Sequence, residues 1–211
     1  MADAPTAFLD AASTAVSVLE RPELAERWPQ DSVLPRFGVA ALAGHLVRGM
    51  TTVEQYLDGQ EPDEAGISAA RYFHTVIRSA DISDPAHQAI RDRGAEAAAG
   101  GPAALAGDAR AALGRLSSRL AGVGAGRRLR VAGGLVMTLD EYLRTRVVEL
   151  VVHADDLATS LGVELAPPRP ATCSVAIDVL VGVARIRHGD MAVLRALARR
   201  ERDPVQALRV L

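Results

Sequence analysis

Lysine is absent: all 24 basic residues of this 211-residue chain are arginine. That excludes Schiff-base chemistry and the phosphate-cradling lysine of a P-loop. Together with the heavy use of alanine, it points to a GC-rich coding genome. The single cysteine, Cys173, rules out an intrachain disulfide, so nothing indicates an oxidising compartment. A lone thiol of this kind is expected as a small buried core residue. Aromatic residues make up only 3% of the chain against 49% hydrophobic residues overall, so the core must be built from Ala, Leu and Val. No apolar run approaches the roughly eighteen residues of a membrane span; the best stretches are broken by Glu149, His153 and Asp178. The N-terminus, MADAPTAFLDAAS, lacks a basic leader region, so the expectation is a soluble cytoplasmic protein without membrane attachment. With 26 acidic residues against the arginines, the net charge is −2, without the basic excess of a general nucleic-acid binder. Eighteen glycines and eleven prolines are too few for a collagenous or low-complexity chain.

What remains reads as an all-α chain. Phe8, Ala12, Ala15, Val16 and Leu19 recur at helical spacing over about 5–20. Pro22, Pro29 and Pro35 then punctuate an expected loop holding Trp28, the only tryptophan, which is expected to pack on the helices. Leu42, Leu46, Met50, Val53 and Leu57 form one stripe of a second helix over 38–57. Further helices are expected over about 67–80, from Asp84-Pro85 onward, and from Pro102 to about Leu120. The stretch RRLRVAGGLVMTL reads as a short β-hairpin turning at Gly133-Gly134. Thr138 followed by Glu141 is a capping-box signature for a long helix that stops at Gly162. PPRP at 167–170 reads as a linker, and helices over 172–187 and 190–200 close the chain. The expected organisation is a bundle over 1–166 and a helical extension over 167–211, packed on the bundle or on a partner.

The long helix is the most informative segment. Leu139, Leu143, Val147, Leu150, Ala154, Leu157 and Leu161 form one apolar face, and Val148, Val151 and Val152 add apolar surface elsewhere. A helix this apolar is buried. A polar line nevertheless runs along it: Tyr142, Arg146, Glu149, His153, Asp156 and Ser160, separated by four, three, four, three and four residues. Those steps hold them on one face, where buried ionisable groups require partners. Glu149 and His153 sit one turn apart, about 6 Å along the axis, and can converge on one divalent metal. Equally, they can be a helical ion pair within a structural network, with Arg146 bridging to Glu149. A metal needs a further ligand. Of the five histidines, His45 stands isolated among aliphatic residues in AALAGHLVRG, and His74 lies on the third helix. His87 and His188 sit near helix ends and read as surface or capping residues.

The segments FGVAALAGHLVRGM and RTRVVELVVHADDLATSLG, in this order and with a hairpin between them, resemble the DinB-like metalloprotein superfamily. The closer resemblance is to the N-terminal domain of mycothiol-dependent maleylpyruvate isomerases, over roughly residues 5–162, with WPQDSVLPRFGVAALAGHL and ELVVHADDLA as its most specific parts. The resemblance implies a DinB-like four-helix bundle with a short β-hairpin before the last bundle helix, followed here by a C-terminal helical tail. It implies metal ligation by His45, Glu149 and His153. Two imidazoles and a carboxylate suit zinc, with nickel as the alternative. Three ligands leave a position for a low-molecular-weight thiol, mycothiol in actinobacteria, whose metal-bound thiolate attacks a small electrophilic substrate by S-transfer or by addition, rotation and elimination. Asp156 is then a group orienting a ligand or a surface carboxylate, and Arg146 a partner of Glu149 or a site for an anionic substrate. Arg91 and Arg93 match a basic stretch of the family and either hold a carboxylate of the cofactor or substrate or form a solvated helix face. The isomerases carry a separate α/β domain, whereas about fifty helical residues follow Leu161 here, so isomerisation itself does not transfer with the bundle.

Two other classes compete. A zinc-dependent hydrolase would activate water and needs a general base, for which Asp156 is the local candidate. A non-catalytic metal-binding or dimerisation bundle would use the tail helix in a homodimer.

Overall fold

The computed structural model describes residues 3–77, 84–199, 201, 205–208 and 210. Four of its helices begin where the chain supplies a side-chain acceptor for the orphan amides of a first turn. Asp3 accepts from the Thr6 amide at 2.7 Å to open α1 (Ala4–Leu19). Ser68 opens α4 (Ala69–Val76) and Asp84 opens α5 (Pro85–Ala97) in the same way. Between these lie α2 (Pro22–Arg27) and α3 (Val39–Leu57). The order continues through α6 (Pro102–Leu120), strands β1 (Arg128–Arg130) and β2 (Val136–Thr138), and α7 (Leu139–Leu161). The tail is α8 (Pro170–His188), α9 (Asp190–Ala198) and α10 (Val205–Leu208).

Helices α1, α3, α6 and α7 pack against one another around an aliphatic core. The seven residues of the α7 apolar face are all buried, as their spacing requires. Helix α5 lies along α3 so closely that a Cβ on Gly44 would sit 2.0 Å from the Gly94 carbonyl oxygen. The tail helix α8 covers α7, α4 and α1. Trp28 packs on the core. Among the described residues no helix is long and apolar enough to cross a membrane.

Several local expectations change. Pro22 does not break the chain: it is the first residue of α2, where its missing amide costs nothing. The hairpin closes over five residues rather than two: Val131 and Leu135 bracket a 3₁₀ turn, with Gly133 and Gly134 both at positive φ. Thr138 caps α7, accepting from the Glu141 amide at 3.3 Å, but the capping box is not reciprocal. The Glu141 carboxylate instead accepts from the Ala69 amide at 2.6 Å and caps α4. Pro170 ends the expected linker by opening α8. The third helix begins at Ala69 rather than Ile67, and its expected end over 78–80 lies outside the described residues, as does residue 200. Cys173 is half-buried rather than in the core, its thiol donating to the Pro168 carbonyl at 3.7 Å.

Candidate metal centre

Helices α3 and α7 run antiparallel, because His45 meets Glu149 while Thr52, two turns later, meets Tyr142. The polar line of α7 faces α3 across this seam. His45 Nε2 lies 3.0 Å from Glu149 Oε2, and His153 Nε2 lies 3.4 Å from the same oxygen. The two imidazoles meet edge to face with centroids 4.9 Å apart, and Phe37 lies on the other side of His45. One ligand atom from each of His45, Glu149 and His153 falls within 4.8 Å of the others. The side chains keep 17–22% of their surface exposed, so the cluster is reachable from solvent.

The far side of His153 is fixed as well. Its Nδ1 lies 3.0 Å from Asp156 Oδ2. The carboxylate accepts the Nδ1 proton and leaves Nε2 directed at the cluster, an arrangement common behind metal-ligating histidines. Asp156 is therefore not the surface carboxylate of the alternative reading. Beyond it, Ser160 Oγ donates to the Asp156 carbonyl at 2.7 Å and accepts from the Val33 amide at 3.0 Å, tying the end of α7 to the loop before α3.

Electrostatics follow from this geometry. Burial dominates at His45 and lowers its pKa despite the Glu149 carboxylate beside it. Burial also opposes charge on Glu149, but hydrogen bonds from His153 and His45 and the nearby Arg146 charge outweigh it and hold the carboxyl well below its usual range. At His153 burial is overcome by Asp156 and Glu149, which push its pKa up to about 9. The surroundings thus favour the ionised form of Glu149 and the protonated form of His153 and disfavour protonation of His45.

Arg146 does not play the bridging part. Among the described residues it forms no ion pair with Glu149. Its Nε donates to Thr145 Oγ1 at 3.1 Å, and its guanidinium lies 5.0 Å from the centroid of the Tyr142 ring. Tyr142 donates to Thr52 Oγ1 at 2.9 Å and packs against Tyr56 with ring centroids 5.3 Å apart. Tyr72 of α4 stands near enough for the guanidinium charge to act on its hydroxyl. All three tyrosines of the chain therefore act on the Arg146 charge, with Tyr142 in direct contact. Sequence reading found Tyr142 but missed Thr52, Tyr56 and Tyr72. A usable signal was present on α3, where His45, Gly49, Thr52 and Tyr56 repeat the four-three-four spacing of α7.

The remaining candidates are not among the three ligating residues. Arg91 is buried on α5 and donates to Gln88 Oε1 at 2.8 Å, so the solvated-face reading fails for it, while Arg93 is exposed. Arg91 packs beside α3, one turn from Gly94, whose approach to α3 reaches the His45 backbone. His74 is half-buried, with Nδ1 lacking a partner among the described residues. His87 is half-buried at the start of α5, and His188 is exposed at the end of α8.

Two comparisons place this arrangement. In fold, the chain is similar to the crystal structure of the mycothiol-dependent maleylpyruvate isomerase, with a TM-score of 0.52 and 16% identity over 86% of this chain and 71% of that one. No curated protein matches by sequence. The family model described as the mycothiol maleylpyruvate isomerase N-terminal domain matches residues 8–158, a span that begins in α1 and ends three residues before the end of α7, and so includes the whole His45–Glu149–His153 cluster. The chain belongs to the mycothiol maleylpyruvate isomerase N-terminal domain family.

Proposed function

We propose that the chain is a metal-dependent enzyme that uses a low-molecular-weight thiol on a small electrophile, as an S-transferase or an isomerase-like catalyst on a DinB-like four-helix bundle. The observation that carries this reading is the convergence of His45, Glu149 and His153, with Asp156 orienting His153 from behind. The donor set fits a divalent cation: two imidazoles and one carboxylate suit zinc, with nickel as the alternative. The fold brings the three ligating atoms together, Glu149 Oε2 lying 3.0 Å from His45 Nε2 and 3.4 Å from His153 Nε2. When bound, the cation supplies a Lewis acid that lowers the pKa of a thiol ligand.

This chain's own residues have distinct tasks. His45 and His153 present Nε2, Glu149 presents Oε2, and Asp156 holds the Nδ1 proton of His153. Buried aliphatic residues of α7 beside the line, among them Val148, Leu150 and Ala154, limit the access of water to the cluster. Mycothiol is the thiol proposed, by likeness to the isomerase of similar fold. The hydrolase alternative is less well served, because Asp156, its candidate base, is engaged with His153.

Cobalt-substituted protein tests the reading. Adding mycothiol is expected to produce a sulfur-to-cobalt charge-transfer band, and a model electrophile is expected to be consumed only when the thiol is present. Turnover of an ester or amide at the same rate without thiol, and no such band, would establish the hydrolase instead.

A further inference from the structure

The loop between α2 and α3 touches both sides of the metal centre. It closes on itself before α3 begins: Asp31 and Gly38 form an isolated bridge, and the Val39 amide donates to the Gln30 carbonyl at 2.9 Å. Inside it the Phe37 amide donates to the Leu34 carbonyl at 3.1 Å, which makes Pro35 and Arg36 the central residues of a tight turn. Pro35 suits the first of these positions. Arg36 sits at φ +61°, the only non-glycine residue at positive φ among the described residues. Glycine is the usual occupant of such a position, and an arginine there carries strain that its surroundings must hold. They hold it through the next residue. The Phe37 carbonyl accepts from the Ser32 amide at 2.9 Å and from the Ser32 hydroxyl at 2.6 Å, and that hydroxyl accepts from the Leu34 amide at 3.1 Å. The strained turn thereby sets the place of Phe37. Its ring is 7% exposed and lies against His45, with centroids 6.0 Å apart and planes inclined by 54°. The same loop grips the end of α7, where the Val33 amide donates to Ser160 Oγ at 3.0 Å. Ser160 lies one turn beyond Asp156, the residue that holds His153 Nδ1.

From this arrangement we infer that loop 30–38 is a brace of the metal centre, with Phe37 the positioning residue of His45 and Ser160 that of the Asp156–His153 pair. Neither is a ligand. Helical geometry fixes the level of each ligand along its own axis. It does not fix the distance across the seam, which depends on how the start of α3 sits against the end of α7. The loop bonds one to the other: Val39, the first residue of α3, is tied to Gln30, and Val33 to Ser160. A set of ligands must be held to within about 0.5 Å of its working geometry, and zinc bonds of about 2.0–2.2 Å leave little room for drift between the two imidazoles. Groups that orient ligands are worth about tenfold to a hundredfold in metal affinity. Strain kept at Arg36 is then part of the site, because relaxing the turn would release the ring behind His45. The inference rests on reading His45, Glu149 and His153 as a metal centre.

The test is a double-mutant cycle between Phe37→Leu and Ser160→Ala in the full-length protein. Zinc affinity is read by competition against a chromophoric chelator, and coordination geometry by the d–d absorption of cobalt-loaded samples. Phe37→Leu is expected to weaken zinc binding about tenfold and Ser160→Ala about fivefold, each with an altered cobalt spectrum. The double variant is expected to lose clearly less than the product of the two, because one loop carries both contacts. A role in stability alone would lower the melting temperature of the metal-free variants and leave affinity and spectrum as in wild type. That result overturns the brace, as do zinc affinity within twofold of wild type in either variant and losses that simply multiply. Ser160→Ala, which removes one atom, decides the matter if Phe37→Leu does not fold. Failure of the metal reading shows separately, as a wild type that takes up neither zinc nor cobalt. In that protein the brace is read from the nuclear Overhauser effect between the rings of His45 and His153, whose centroids lie 4.9 Å apart. The effect is expected to weaken in both variants, and its persistence at wild-type strength overturns the brace.

Discussion

Replacing Asp156 by Asn tests the metal reading at a residue that is not itself a ligand. The carboxylate lies 3.0 Å from His153 Nδ1, and the Ser160 hydroxyl bonds the Asp156 backbone carbonyl, so Asp156→Asn leaves that tie intact. Two effects oppose each other. Without the carboxylate the His153 proton is held less tightly, which eases metal entry; a charge about 4 Å away at an effective dielectric of 20 is worth about 4 kcal/mol. A divalent cation on Nε2, with a Zn–N bond of about 2.1 Å, would lie roughly 6–7 Å from the carboxylate but carry twice the charge, or about 5 kcal/mol. The difference, about 1 kcal/mol, favours the metal when Asp156 is present. Asp156→Asn should therefore weaken zinc binding by about fivefold to tenfold, the lower edge of what such orienting groups contribute. Competition against a chromophoric chelator at pH 7.5 measures this, with thermal melts of the metal-free protein checking that the fold survives. Asp155, exposed on the same helix, is the control. A zinc affinity within twofold of wild type, or an equal loss in Asp155→Asn, would refute the assigned role.

Other outcomes follow from the same seam. Thr52→Val should cost about 1–3 kcal/mol, because it leaves the buried Tyr142 hydroxyl without its acceptor. Tyr142→Phe should cost less, since the Thr52 hydroxyl keeps its 2.7 Å bond to the Arg48 carbonyl; urea unfolding of the two variants checks the order. Gly44→Ala should lower the melting temperature strongly, because its Cβ would meet the Gly94 carbonyl at 2.0 Å and helix backbones cannot yield as a side chain does. Gly107→Ala, in open space on α6, should stabilise by about 0.5–1 kcal/mol. Zinc affinity should rise with pH and level off above about 9, because the cation must displace the proton that Asp156 and Glu149 hold on His153. For the metal-free protein the sign is opposite. The raised His153 contributes stability that is full below its unfolded pKa near 6.5 and lost as pH rises through about 9. A flat zinc affinity between pH 6 and 9 would contradict both statements.

The part of the site carried by one helix was legible in the sequence, because helical periodicity determines which residues share a face. The six polar residues of α7 announce their line by spacing alone, and His45 stands out because nothing beside it on α3 can satisfy an imidazole. Periodicity does not say which neighbour lies opposite. The hydroxyl that receives Tyr142 comes from Thr52, ninety positions away on α3, a distance no helical period spans. The capping box failed for the same reason: Glu141 found a better use at the amide of Ala69 than at its own helix start. Pro22 was misread because proline marks both a break and a first helical residue, and only the apolar anchor Leu24, buried against the core, decides which. Arg91 looked solvated because its neighbours Asp92 and Arg93 are exposed, yet the close approach of α5 to α3 around Gly94 buries it.

The most direct test of the central claim is the metal content of untagged protein, wild type against the His45→Ala, His153→Ala double variant, after reconstitution and exhaustive dialysis. About one divalent ion per chain is expected in the wild type, zinc before nickel, and none in the variant. A wild type that retains no metal after reconstitution would contradict it, leaving the line from Arg146 to Asp156 as a buried polar network that joins α3 to α7.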